Sequence, residues 1–75
     1  MKKALYERNY AAFTDLLKDE RKKAGLTQAK LAKKLRRPQS YVSKYERGDR
    51  RLDVIEFLEI ARAVGFDPGE FLQKL

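Results

Sequence analysis

The sequence predicts an all-α fold, a compact domain of five helices, and three observations carry that prediction. Apolar residues recur at helical spacing, with no alternating run that reads as a strand. Helix starts can be recognised by capping residues at fixed offsets, as at Asp53 with Glu56 and at Asp67 with Glu70. Glycines follow the periodic segments at Gly25, Gly48 and Gly65, where a left-handed residue would end a helix. At 75 residues the chain has room for one domain, residues 1–75, with a thin core.

The first helix is expected from residue 9 or 10 to residue 24, with Asn9 as its cap and Phe13, Leu16, Leu17 and Ala24 on one stripe. Thr27 caps the second, Leu26 and Leu31 stand at staple positions, and Leu31, Ala32 and Leu35 form its buried face. The third runs from about residue 38 or 39 to residue 47. Pro38 separates it from the second by biasing Arg37 away from helical angles. In the fourth, residues 53–64, the Asp53–Glu56 box is joined by a Leu52–Phe57 staple. The fifth repeats both devices with Asp67–Glu70 and Phe66–Phe71 and places Pro68 at its first position.

Composition narrows function by exclusion. The chain has no cysteine and no histidine, so ordinary zinc, haem, Ser-His and Cys-His chemistry is out of reach. Neither a paired-carboxylate spacing nor a glycine-rich phosphate loop supports an enzyme, and no metal or cofactor is expected. Residues 1–6 are not followed by an apolar stretch of signal-peptide length, and no run approaches a membrane span. A cytoplasmic protein without a membrane partner is the expectation.

Charge is informative by its distribution. The net charge is +7, yet residues 18–51 alone carry thirteen Lys or Arg against four acids, while residues 52–75 carry two against five. A basic stretch followed by an acidic, apolar end suggests polyanion binding on one side and a different contact on the other.

Residues 25–48 read Gly-Leu-Thr-Gln-Ala-Lys-Leu-Ala-Lys-Lys-Leu-Arg-Arg-Pro-Gln-Ser-Tyr-Val-Ser-Lys-Tyr-Glu-Arg-Gly. Ala32 is small where two helices must approach, and Leu31, Leu35, Val42 and Tyr45 face inward around a short turn. Here the chain resembles the Xre family of lambda-repressor-like and Cro-like helix-turn-helix proteins, over about residues 13–64, with the motif itself at 27–47. The resemblance implies a transcription regulator, a repressor, binding double-stranded DNA as a homodimer on a palindromic operator. Exposed aromatics form no strand-borne platform, which argues against RNA.

Inward-facing Val42 and Tyr45 leave Gln39, Ser40, Ser43 and Lys44 on the opposite side of the third helix, able to meet base edges or phosphates. The resemblance places its main base readers at Gln39, Ser40 and Lys44. Gln28 occupies the first turn of the second helix, where free N–H groups favour a phosphate, and relatives use the matching glutamine as a backbone clamp. Lys23, Arg36, Arg37, Arg47, Arg50 and Arg51 are further phosphate candidates. By resemblance, Arg21 and Glu46 form a partly buried ion pair between the first and third helices.

Tyr41 adjoins the reading side but has the spacing of a packed residue. The turn departs from the family pattern, with Arg36 where glycine is usual and Pro38 where a serine cap is usual. A left-handed arginine costs about 1 kcal/mol or more, so the turn is either strained or differently routed. Ile55, Phe66, Leu72 and Leu75 are the candidate dimer residues. The alternative reading is an antitoxin-like module whose acidic, apolar end binds a toxin protein.

Overall fold

The computed structural model describes residues 3–75, with side chains from Tyr6 onward. The described residues form five α-helices: α1 (Lys3–Lys23), α2 (Gln28–Leu35), α3 (Gln39–Glu46), α4 (Val54–Val64) and α5 (Pro68–Gln73). Among them no strand occurs, and no helix is long and apolar enough to cross a membrane.

The core is one cluster fed by every helix. Leu17 of α1, Leu31 and Ala32 of α2, Tyr41, Val42 and Tyr45 of α3, Phe57 and Ile60 of α4, and Phe71 of α5 are all buried. Phe13, Leu16, Leu26, Leu35, Leu52 and Phe66 close its edges. At the α4–α5 end the packing is aromatic: Phe57 and Phe71 have ring centroids 5.3 Å apart, and Phe66 stacks on Phe71 at 4.9 Å. Helix α3 packs against α2 and α1, which holds the two halves of the motif at a fixed angle.

Local signals explain most boundaries. Thr27 accepts the Lys30 N–H, and Asp53 with Glu56 forms a complete reciprocal capping box. Only half the expected second box forms, since Asp67 accepts the Glu70 N–H without the return bond. Gly65 ends α4 in the left-handed region at φ 99, a conformation open to glycine without steric cost.

Helix α1 is a correction. It begins by Lys3 rather than at Asn9, which sits mid-helix. The early turns are anchored from far along the chain: Tyr10 accepts the Leu52 N–H through its hydroxyl at 3.1 Å, and Arg51 lies over the rings of Tyr6 and Tyr10. Ala24, expected on the buried stripe, is exposed because the helix has already ended at Lys23.

The α2–α3 turn takes the strained alternative. Arg36 has φ 58 and ψ 42, the lone positive-φ residue other than glycine among those described. Its N–H donates to Lys33 O and the Arg37 N–H to Ala32 O, the same pair of bonds that Gly25 and Leu26 make at the end of α1. A glycine motif is thus closed by an arginine. Pro38 begins α3 without a side-chain cap, and its fixed φ of −65 suits the entry.

Candidate nucleic-acid interface

Helix α3 buries Tyr41, Val42, Tyr45 and Glu46, and this inward set decides what faces out. Gln39, Ser40 and Lys44 are exposed together on the remaining side. Ser43 is half-buried, and its hydroxyl donates to Ser40 O at 3.2 Å, leaving it as an acceptor toward any ligand. The outward side therefore offers an amide, two hydroxyls and an ammonium, the groups that read base edges in a groove wide enough for a helix.

A polar network fixes this helix from behind. Arg21 of α1 reaches Glu46 through Nε at 2.7 Å and Nη2 at 3.0 Å, and its Nη1 donates to Leu26 O at 2.8 Å. Both side chains are buried, so the pair ties three segments together in a low-dielectric setting. The hydrogen bond to Glu46 leads the causes that raise the Arg21 guanidinium above its ordinary pKa, securing its charge. Gln28 joins the network by donating Nε2–H to Glu46 Oε1 at 3.0 Å. One amide hydrogen is thereby committed inward, while the other and the amide carbonyl keep their hydrogen-bonding capacity.

Tyr41 is buried, and its ring lies beneath two guanidiniums: Arg37 at 4.4 Å and Arg50 at 4.6 Å from the centroid. Glu56 of α4 accepts from Arg50 Nη1 at 3.1 Å and Nη2 at 2.8 Å and stands 3.8 Å from Arg37. The Arg50 hydrogen bond is the leading cause holding the Glu56 carboxyl below the usual carboxylate range. Tyr41 and Tyr45 meet edge-on at 5.6 Å, and burial pushes both phenols upward.

The phosphate candidates thus divide. Arg36 is exposed on the strained turn, and Arg47 is exposed with Asp49 as its 3.0 Å partner. Arg37 and Arg50 are engaged by α4 carboxylates, and Arg51 stacks on α1 tyrosines. Lys23 sits apart from α3, 4.0 Å from Glu20 and along a shallow groove with Asp67, Glu70 and Lys74. Charge counting could not separate these groups, because the partners of Arg37 and Arg51 lie on helices distant in the chain.

The α4–α5 end has a different surface. Val54, Ile55, Leu58, Leu72 and Leu75 are exposed, with Val54 70% and Ile55 65% accessible. Val54, Leu58, Pro68 and Leu72 line an apolar groove of about 250 Å³ floored by Phe13 and Phe57. Phe66 is half-buried against Phe57 and Phe71 and contributes less to that surface than its sequence position suggested. Val54 and Leu58 join Ile55 on this surface because α4 holds more apolar residues than one buried face can accept.

The comparisons agree with this geometry. A family model described as Helix-turn-helix matches residues 17–71. An XRE-family like protein from Pseudomonas syringae pv. tomato str. DC3000 superposes with a TM-score of 0.92 at 50% identity, covering 96% of this chain and 88% of that one. The wild-type restriction-modification controller protein C.Esp1396I superposes with a TM-score of 0.79 at 25% identity, covering 87% of this chain and 86% of its own. No curated protein matches the chain.

Proposed function

Since this chain belongs to the Xre family of helix-turn-helix proteins and is a DNA-binding transcription regulator, we propose that it is a repressor reading a palindromic operator as a homodimer. The observation that carries the reading is the joint exposure of Gln39, Ser40 and Lys44 on α3, above a helix locked from behind by Arg21 and Glu46. Glutamine matches the acceptor and donor of adenine, and lysine matches the acceptors of guanine. Gln28, at the first turn of α2, meets a phosphate, with Glu46 holding its amide in one orientation. Arg36 and Arg47 add sequence-independent attraction.

Dimerisation follows from the size of the module. One copy contacts a few base pairs, each worth about 1–3 kcal/mol, which is little against a genome of competing sites. The exposed Ile55, Leu58 and Leu72 supply an apolar surface for a second copy, placing the two reading helices about 34 Å apart on one face of B-DNA. The same apolar surface favours the second reading, an antitoxin-like module whose main partner is a toxin protein.

Selection from random duplexes, followed by sedimentation of the protein with the selected site, tests the proposal. A symmetric site carrying two copies is the expected result. One copy on an asymmetric site removes the dimer, and a monomer that co-purifies with a second small protein favours the antitoxin reading.

A further inference from the structure

Glu56 is more heavily engaged than helix capping requires. It accepts the Asp53 N–H at 3.1 Å to complete the α4 box, a task that a glutamine at this position performs equally well. Its charge goes elsewhere. The two carboxylate oxygens meet Arg50 Nη1 and Nη2 in a fork, and Arg37 stands at ion-pair distance from both Glu56 and Glu59. Arg50 Nη1 is also shared with Arg51 O, so both terminal nitrogens of that guanidinium have acceptors within the protein.

Both arginines nevertheless remain about one-third accessible, at 36% and 37%, stacked over Tyr41 of the reading helix. They are within reach of a ligand, but their donors face a carboxylate. A guanidinium binds carboxylate and phosphate with the same two-pronged geometry, so a carboxylate in the Nη1–Nη2 fork closes that fork to a phosphate and offsets the charge that would attract one.

We infer that Glu56 is an internal competitor for DNA phosphate, occupying guanidinium donors of Arg50 and offsetting the charge of nearby Arg37, and thereby limiting the sequence-independent affinity of the chain for DNA. The inference rests on the DNA-binding reading and extends it to a residue outside the helix-turn-helix motif. Sequence-independent affinity depends on how many phosphates the cations neutralise and how many counterions leave. An arginine that keeps its carboxylate partner neutralises less, and the carboxylate itself repels an approaching phosphate. Base-edge contacts from α3 are untouched, so the restraint falls equally on operator and random DNA.

The test uses the full chain and a short random-sequence duplex, titrated between about 50 and 200 mM salt. Glu56→Gln keeps the size of the side chain and the capping acceptor while removing the charge. It should bind about five- to tenfold more tightly near 100 mM salt, with the log–log salt slope steeper by about 0.9. Glu56→Asp keeps the charge but withdraws the carboxylate from Arg50, and should gain affinity in the same direction by a smaller factor. Glu70→Gln, the same charge change on the exposed side of α5, should gain at most about twofold at these screening lengths.

Glu56 variants that melt cooperatively yet bind no more tightly than wild type overturn the inference. So does a gain in Glu70→Gln equal to that in Glu56→Gln, which would reduce the effect to net charge. Should Glu56→Gln fail to fold, Glu56→Asp decides by the same criterion. Wild-type protein without salt-dependent binding to the duplex would instead remove the DNA reading itself.

Discussion

The α2–α3 unit and the α4–α5 end are similar in size, yet they are held by different forces and present opposite surfaces. The first is fixed by a buried ion pair, Arg21 to Glu46, and exposes amides, hydroxyls and cations. The second is held by stacked phenylalanines and leaves Val54, Ile55, Leu58 and Leu72 in solvent. A reader of base edges must hold its side chains to a fraction of an ångström, and directional, charge-assisted bonds do this better than apolar contact. An association surface needs area more than direction, which exposed aliphatic groups supply.

The largest effect should come from breaking the ion pair. Glu46→Ala leaves Arg21 buried without its counter-charge and should destabilise the fold by about 3–5 kcal/mol, read from chemical denaturation. If the loss is under about 1 kcal/mol, α3 is not fixed by this pair and the contrast fails. An apolar replacement of both partners should recover most of the loss, because the penalty belongs to the unpaired charge.

Next in size are the outward residues. Gln39→Ala and Lys44→Ala should each cost about 1–3 kcal/mol at particular base pairs, while Gln28→Ala should weaken binding to all sequences alike. Binding to single-position operator variants separates the two patterns. Equal losses of Gln39→Ala on operator and random DNA would remove α3 as the reader.

At Arg36, local stability is set against charge. Arg36→Gly relieves the left-handed backbone and should stabilise the chain by about 1 kcal/mol. The same substitution removes an exposed cation beside α3, so its affinity for random duplex should fall as its melting temperature rises. A variant that gains stability and loses no affinity would show that the arginine has no part in DNA binding.

The smallest effect on folding should be at the other end. Ile55→Ser alters a residue already 65% accessible and should change monomer stability by no more than about 0.5 kcal/mol. Sedimentation should nevertheless show weaker self-association. Unchanged self-association would place the dimer contact elsewhere on the chain.

Features that depend on near neighbours along the chain were legible in the sequence. The Thr27 cap, the Asp53–Glu56 box and the glycine stops join residues within about one helical turn, so spacing was sufficient to place α2 to α5. The outward set on α3 was legible for the same reason, since helical period alone puts Gln39, Ser40 and Lys44 opposite Val42 and Tyr45. The start of α1, the route of the α2–α3 turn and the division of the cations emerge only when the helices dock. The first depends on Tyr10 and Leu52, 42 positions apart, and the last on Glu56 meeting Arg37 and Arg50 from another helix. The strained Arg36 was legible as a choice between two paths, and packing of α2 against α3 selected one. Pairings between distant positions follow from how helices dock, which no local spacing records.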